Sequence, residues 1–312
     1  MGKNKIRKQL IFFVILITAV LCISACNAEP VTSPIPVDES TEDHVDAEAI
    51  PTETLLSDFD INNWDEVSLS QDLTLYYIEE GDIKVTHRFP WAANSLLVQM
   101  PDGTFVWAGS TYTPEAAALV LRWLDQNYDD YDLVGIVTGY HVDNLGGSAA
   151  LIEKGYPVYG SDLTVDLLAE KGEEMREYMV ELSKESDQSF YADYHKEIPY
   201  LAPTYIFPID EGLTLTLGDE TVKVYYLGAT QAEDKVVVYF PEKKILFGSC
   251  MVLGGSEVGN TREANILSWH QAILRLKQWD YEYVIPGHGD RIDPGLIDHT
   301  AELLDGLITL GE

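Results

Sequence analysis

Four side chains that could take part in metal or acid–base chemistry each follow an apolar segment of the sequence. His141 and Asp143 come after DLVGIV, Cys250 comes after KKILFGS, and His288 comes after YVIPG. Apolar runs of this length are typical of buried strands, and α/β enzymes keep their reactive groups at strand ends. We therefore predict that these four side chains converge at one edge of a sandwich of sheets.

Carboxylate, thiolate and imidazole together form a strong set of ligands for a divalent cation. Zn²⁺ accepts this mixture in tetrahedral geometry, and three protein ligands leave a fourth position open for water or substrate. The chain has three cysteines, and Cys22 and Cys26 lie near the N-terminus, so Cys250 has no partner for a disulfide in the folded part. An unpaired cysteine in an exported protein is explained by burial of the thiol, by a disulfide to a partner chain or by metal binding.

Each of these residues also has an ordinary structural interpretation. Asp143 could cap the short helix predicted for GGSAALIEKG, and Cys250 could be a small buried hydrophobic residue. His288, in Pro-Gly-His-Gly, could simply lie in a turn. The long separation between the three residues carries little motif information, so the metal hypothesis depends on their meeting in space.

Two strand-rich blocks, each followed by helices, must position these residues. In the first block, SLLVQM and TFVWAG flank the turn residues Pro101-Asp102-Gly103. In the second block, strands turn at Gly218-Asp219, and KVVVYF pairs with KKILFGSC across Pro241-Glu242. Two such blocks predict two sheets packed face to face and covered by helices, which is a four-layer αββα sandwich.

The chain divides into an N-terminal leader, a tether and one folded domain. The folded domain is predicted over 66–312, with an acidic helical insertion near 163–205. The segment 26–65 has low hydrophobicity, and it contains no Lys or Arg from Asn27 to Asp65. Such a composition cannot bury enough surface to fold, so we predict an acidic disordered tether there.

The sequence of residues 1–25 is typical of an export signal. Four basic residues within the first eight positions precede an apolar run over 10–25, which is shorter than a bilayer-spanning helix and ends in small residues. The sequence Ile23-Ser24-Ala25-Cys26 resembles a bacterial lipobox, which implies that Cys26 becomes the lipid-modified N-terminus. We expect a lipoprotein on the outer face of the cytoplasmic membrane or in the periplasm. An uncleaved anchor is the alternative.

The formal net charge of −32 limits the partners of the chain. Nucleic acid and anionic lipid are both recognised through basic patches, so we expect no nucleic acid and no electrostatic binding to a membrane. Membrane association would come from the lipid anchor alone. The expected partner is a small-molecule substrate, and we expect a monomer.

Residues 75–306 resemble a metallo-beta-lactamase fold domain of the branch in which a cysteine is a zinc ligand. The segments that carry the resemblance are, in order, VTGYHVDNLGG, YYLGATQAEDKVVVY, FPEKKILFGSCMV, VGNTREA and YVIPGHG. The resemblance implies the αββα fold and zinc-dependent hydrolysis. The glyoxalase II-like branch fits less well, because its motif is His-x-His-x-Asp-His and the residue after Asp143 is Asn144.

In that family two zinc ions lie side by side, one held by three histidines and the other by Asp, Cys and His. By position the second site is complete, with Asp143, Cys250 and His288. The first-metal positions are degenerate: they are Gly139, His141 and Gln231. One histidine will not hold an ion against water, so the resemblance implies one Zn²⁺ per chain.

The same resemblance suggests a mechanism. His141, freed from metal binding, would act as a general base on a water molecule, because imidazole exchanges protons near neutral pH. Asp143 would orient that water as well as bind zinc.

The substrate positions depart in part from the family. Leu253 stands where the family usually has a lysine that pairs with the carboxylate of a drug, so we expect inefficient beta-lactam turnover. Asn260 matches an asparagine that contacts the substrate carbonyl, and Gln231 and Trp91 are also expected to contact substrate. The expected function is a lipid-anchored, extracytoplasmic zinc hydrolase of a cyclic amide or related ester. The alternative is a non-catalytic member of the fold that binds zinc or another ligand.

Overall fold

The computed structural model describes residues 73–311 except Pro90, Asp187, Gln188 and Phe190. The leader predicted for 1–25, the tether predicted for 26–65 and the start of the predicted domain lie outside the described residues. Within the described part of the chain, no helix combines the length and apolar composition that a bilayer crossing requires.

The first sheet of the described chain has seven strands that follow one another in space in the order of the sequence. Its first four strands pair antiparallel and its last four pair parallel. The strands are β1 (Leu73–Glu79), β2 (Asp82–Phe89), β3 (Trp91–Gln99), β4 (Phe105–Ala108), β5 (Leu133–Ile136), β6 (Val158–Ser161) and β7 (Tyr205–Phe207).

Helices connect the parallel strands of this sheet, as parallel pairing requires. They are α1 (Pro114–Asn127), α2 (Val142–Leu145), α3 (Ser148–Glu153), α4 (Asp162–Lys184) and α5 (Tyr191–Glu197). The segment predicted as an acidic helical insertion, 163–205, thus contains most of α4 and all of α5. Ser161 caps the N-terminus of α4, because its hydroxyl accepts a hydrogen bond from the backbone N–H of Thr164.

The second sheet has five strands in the described residues, in the spatial order β12-β11-β10-β9-β8. Its strands are β8 (Leu213–Leu217), β9 (Glu220–Tyr226), β10 (Val236–Phe240), β11 (Ile245–Leu253) and β12 (Tyr283–His288). Strands β8 to β11 pair antiparallel, whereas β12 pairs parallel to β11 after a crossover through α6 (Ile266–Leu276). Helix α7 (Leu296–Leu310) follows β12.

Side chains alternate across each sheet and build three core layers. Val236 and Val238 of β10 pack between the two sheets, while Val237 packs against Trp269 of α6 on the outer face. On the far side, Trp107 of β4 packs in the layer that α1 covers. The four-layer αββα sandwich predicted from the sequence is therefore confirmed, as are the hairpins β3–β4, β8–β9 and β10–β11.

Candidate metal centre

Asp143, Cys250 and His288 meet at one end of the sandwich, although they come from three separate segments of the chain. Each offers one ligand atom, and the three atoms all lie within 4.8 Å of one another. The thiol Sγ of Cys250 is 2.9 Å from Oδ2 of Asp143 and 3.8 Å from Nε2 of His288. The Asp143 Oδ2 to His288 Nε2 distance is 3.4 Å.

The local backbone explains how Cys250 reaches the other two residues. Ser249, one residue earlier in β11, has a φ of 49°, a left-handed conformation that is unusual for a residue with a side chain. The pairing of β11 with β12 is irregular on both sides of Ser249, which forms a bulge that redirects the following side chain. Gly287 of β12 permits the close approach, because a Cβ there would lie 2.6 Å from the backbone nitrogen of Cys250.

Neighbouring polar groups fix the orientation of the three candidate ligands. Nδ1 of His288 donates to the carbonyl oxygen of Ala92 at 2.7 Å, so Nε2 points to the centre. The side-chain amide of Asn144 donates to Oδ1 of Asp143 at 2.7 Å and to Sγ of Cys250 at 3.5 Å. Its carbonyl oxygen accepts from the hydroxyls of Thr138 and Ser249. The hydroxyls of Thr138 and Ser249 thus fix the Asn144 side chain, whose amide in turn orients Asp143 and Cys250.

The charges of the centre stabilise one another. Burial alone would raise the pKa of Asp143, but the hydrogen bond to His288 and the charges of Lys235, His288 and His141 keep that pKa well below its ordinary value. Burial alone would lower the pKa of His288, but the hydrogen bonds to Asp143 and Cys250 raise it well above its ordinary value. Because an imidazole binds a metal through a ring nitrogen without a proton, protonation of His288 at Nε2 would compete with metal binding.

The donor set fits a zinc ion. Zinc bonds of about 2.0 to 2.3 Å in tetrahedral geometry place ligand atoms roughly 3.3 to 3.8 Å apart. The three observed separations, 2.9, 3.4 and 3.8 Å, lie close to that range. Asp143, Cys250 and His288 could therefore hold one zinc ion with small adjustments, and all three residues line a cavity.

His141 lies beside this group and pairs with a carboxylate that the sequence reasoning did not single out. Its Nε2 is 2.7 Å from Oε2 of Glu263, so Nδ1 is the ring nitrogen that Glu263 does not engage. The hydroxyl of Tyr140 donates to both oxygens of Glu263, and Nζ of Lys171 lies 3.6 Å from Oε1. The bond with His141, followed by that with Tyr140, lowers the pKa of Glu263 to about 2 despite its partial burial. Glu263 is therefore an anion.

The other two first-metal positions provide no comparable ligand. Gly139 has no side chain, and the space where its Cβ would lie is bordered by the side chain of Lys235 at 2.9 Å. Gln231 lines the cavity, and its amide donates to the carbonyl oxygen of Asn260 at 3.5 Å. His141 is thus the one imidazole among the three positions.

A cavity of about 450 Å³ opens over the centre. Trp91, at the start of β3, and Asn260 line it, as does Leu253 at the end of β11. Helix α4 contributes an apolar wall to the cavity, formed by Met175, Tyr178, Met179 and Leu182. Among the described lining residues none is lysine or arginine.

The αββα sandwich and the Asp-Cys-His group at one end of it together indicate the class of this protein. The model of the Metallo-beta-lactamase superfamily matches residues 89–288. The chain therefore belongs to the metallo-beta-lactamase superfamily, whose members include zinc-dependent hydrolases.

Individual relatives are similar at low identity. The metallo-beta-lactamase type 2 of Bacteroides fragilis is 28% identical over 194 residues, which cover 61% of this chain and 66% of that protein. The metallo-beta-lactamase type 2 of Bacillus cereus is 26% identical over 216 residues, which cover 68% and 73%. The solved metallo-beta-lactamase from Pontibacter korlensis superimposes with a TM-score of 0.62 at 28% identity, covering 75% of this chain and 99% of that one.

Asn144 provides a test of the centre. The change Asn144→Ala removes the amide that orients two ligands, and we expect it to weaken zinc binding about ten- to hundredfold. The zinc dissociation constant, measured by competition with a chromophoric chelator, checks this. Asn127→Ala, at the end of α1, is the control. An unchanged dissociation constant in a folded Asn144→Ala variant would contradict the proposed orienting role.

Proposed function

We propose that this protein is a zinc-dependent hydrolase that cleaves a cyclic amide or a related ester with one ion at Asp143, Cys250 and His288. The observation that carries the proposal is the meeting of this ligand set with an imidazole–carboxylate pair in one cavity. Relatives named metallo-beta-lactamase support the reaction class. The degenerate positions Gly139 and Gln231 support a single ion.

His141 would serve as the general base. Nε2 is engaged by Glu263, so Nδ1 would take the proton from the attacking water. The anionic Glu263 would stabilise the imidazolium that forms, and Tyr140 would hold the carboxylate in place through its hydroxyl. Zinc, when bound, would polarise the substrate and stabilise the leaving nitrogen or oxygen. Asp143 would help to orient the attacking water.

The cavity favours a substrate with apolar substituents and no carboxylate next to the reacting bond. Met175, Met179 and Leu182 offer apolar contact. Trp91 would also contact the substrate, and Asn260 would contact its carbonyl group. A carboxylate would find no lysine or arginine among the described lining residues, and the chain has a net charge of −32. Anionic beta-lactams would therefore be poor substrates.

We also propose that the protein is exported and anchored to the membrane by a lipid on Cys26. The basic start of the chain, the short apolar run and the small residues before Cys26 support this arrangement. The acidic tether over 26–65 would separate the catalytic domain from the membrane surface.

Removal of the base tests the catalytic proposal. We expect His141→Ala to lower kcat for a hydrolysed amide or ester about a hundredfold or more, because proton transfer to a positioned base is lost. Glu263→Gln should produce a smaller loss, since the hydrogen bond can persist without the charge. Both variants should keep their zinc, measured by metal mass spectrometry.

His270→Ala, on α6 and outside the cavity lining, is the control for this comparison. Full turnover by His141→Ala would exclude its role as the base. A broad panel of lactams, lactones and thioesters that yields no zinc-dependent turnover by the unchanged protein would instead support a non-catalytic binding domain.

Leu253 tests the substrate preference. The change Leu253→Lys places an ammonium in the cavity wall, and we expect it to lower KM for an anionic beta-lactam about tenfold or more. KM for an uncharged lactone should change little, and Leu253→Met controls for the altered side-chain shape. Equal KM values for the anionic substrate in the Lys and Met variants would contradict the charge argument.

Cys26 tests the anchor. We expect Cys26→Ser to abolish incorporation of a labelled fatty acid and to prevent processing before residue 26, because the acyl acceptor is lost. Fractionation of cells that express the unchanged and the variant protein checks this, with Cys22→Ser as the control. Labelling that survives in Cys26→Ser would exclude a lipid at this cysteine.

A further inference from the structure

Lys235 is a buried cation for which the proposed reaction has no use. Its side chain is fully buried, just before β10, and Nζ has no hydrogen-bond partner in the described part of the chain. An ammonium has three donors, and burying it without acceptors is costly. The ammonium is nevertheless buried here, next to the metal centre, so its burial requires an explanation.

The end of the Lys235 side chain lies against the position from which a first-metal ligand would extend. A Cβ on Gly139 would lie 2.9 Å from both Cδ and Nζ of Lys235. Gly139 is the first of the three degenerate first-metal positions. The Cβ of a histidine at this position would therefore come too close to the Lys235 side chain, so glycine at 139 and lysine at 235 are sterically coupled.

Two buried carboxylates face the same region. Oδ1 of Asp234 lies 3.2 Å from the same Cβ position on Gly139, and this oxygen too has no hydrogen-bond partner among the described residues. Its other oxygen accepts from the backbone N–H of Tyr140 and the hydroxyl of Thr164. Asp143 is the second carboxylate. It lies in α2, two residues after His141, and the charge of Lys235 helps to hold its pKa well below the ordinary value. Two buried anions require positive charge nearby.

We propose that the Lys235 ammonium is a built-in cation at the degenerate first-metal site, where it compensates Asp143 and Asp234 and restricts the centre to one zinc ion. A protonated amine has no lone pair and cannot ligate a metal, while its charge repels a second divalent ion. Lys235 would affect the metal centre through its charge and would not contact the substrate. The inference rests on the single-zinc centre proposed above.

Removal of the charge tests this directly. We expect Lys235→Met, which has a similar length and no charge, to bind its zinc about tenfold more tightly, because repulsion of the ion is relieved. The dissociation constant is measured by chelator competition on the purified full chain in detergent. Lys277→Met, on the surface beyond α6, makes the same change in net charge and should leave the constant unchanged.

A second comparison tests the restriction to one ion. The double variant Gly139→His with Gln231→His restores the missing imidazoles but keeps Lys235, and we expect it to bind one zinc. Adding Lys235→Asn frees both the space and the charge, so the triple variant should bind two. Metal mass spectrometry after dialysis against buffered zinc gives the counts, and circular dichroism confirms that each variant is folded.

The outcomes separate the two proposals. An unchanged protein that binds no zinc contradicts the centre itself. One zinc in the unchanged protein, together with an unchanged or weaker constant in Lys235→Met, overturns the role of Lys235 and leaves the centre standing. Two zinc ions in the double variant overturn it as well. If Lys235→Met does not fold, Lys235→Gln replaces it, and the comparison of double and triple variants decides independently.

Discussion

The buried carboxylate of Asp143 is the constraint on which the rest of the site depends. An ionised carboxylate that is largely shielded from water must be compensated by charge and by hydrogen bonds. Here the imidazole of His288 and the amide of Asn144 contact it directly, and the thiol of Cys250 approaches it to 2.9 Å. The hydrogen bonds to Asp143 and Cys250 hold the pKa of His288 well above its ordinary value, so Asp143 and His288 stabilise each other's charge. A bound zinc ion would compensate the same carboxylate.

The scaffold supplies this arrangement through strand ends and irregular backbone. Parallel pairing brings the ends of β11 and β12 together, and the bulge at Ser249 turns Cys250 toward His288. Glycine at position 287 lets the two strands approach at that point. Helix α4 lines the cavity with apolar side chains, which favour binding of apolar substituents. The sandwich thus positions the three candidate ligands, and helix α4 forms one wall of the cavity.

Sequence reasoning reached the fold and the gathering of Asp143, Cys250 and His288, because strand-end positions and turn residues are local signals. It could not find the pairing of His141 with Glu263, since 122 positions separate the two and no periodicity connects them. Glu263 lay within the motif VGNTREA, but the motif gave it no role. Spacing likewise says nothing about which nitrogen of an imidazole faces a metal; the carbonyl of Ala92 decides this for His288.

The metal content of the purified protein tests most directly whether Asp143, Cys250 and His288 bind one zinc ion. Mass spectrometry of the metal should give about one zinc per chain, and Cys250→Ser should lose it because a thiolate ligand becomes a weakly binding hydroxyl. No zinc in the unchanged protein, or one zinc retained by the serine variant, would contradict the account.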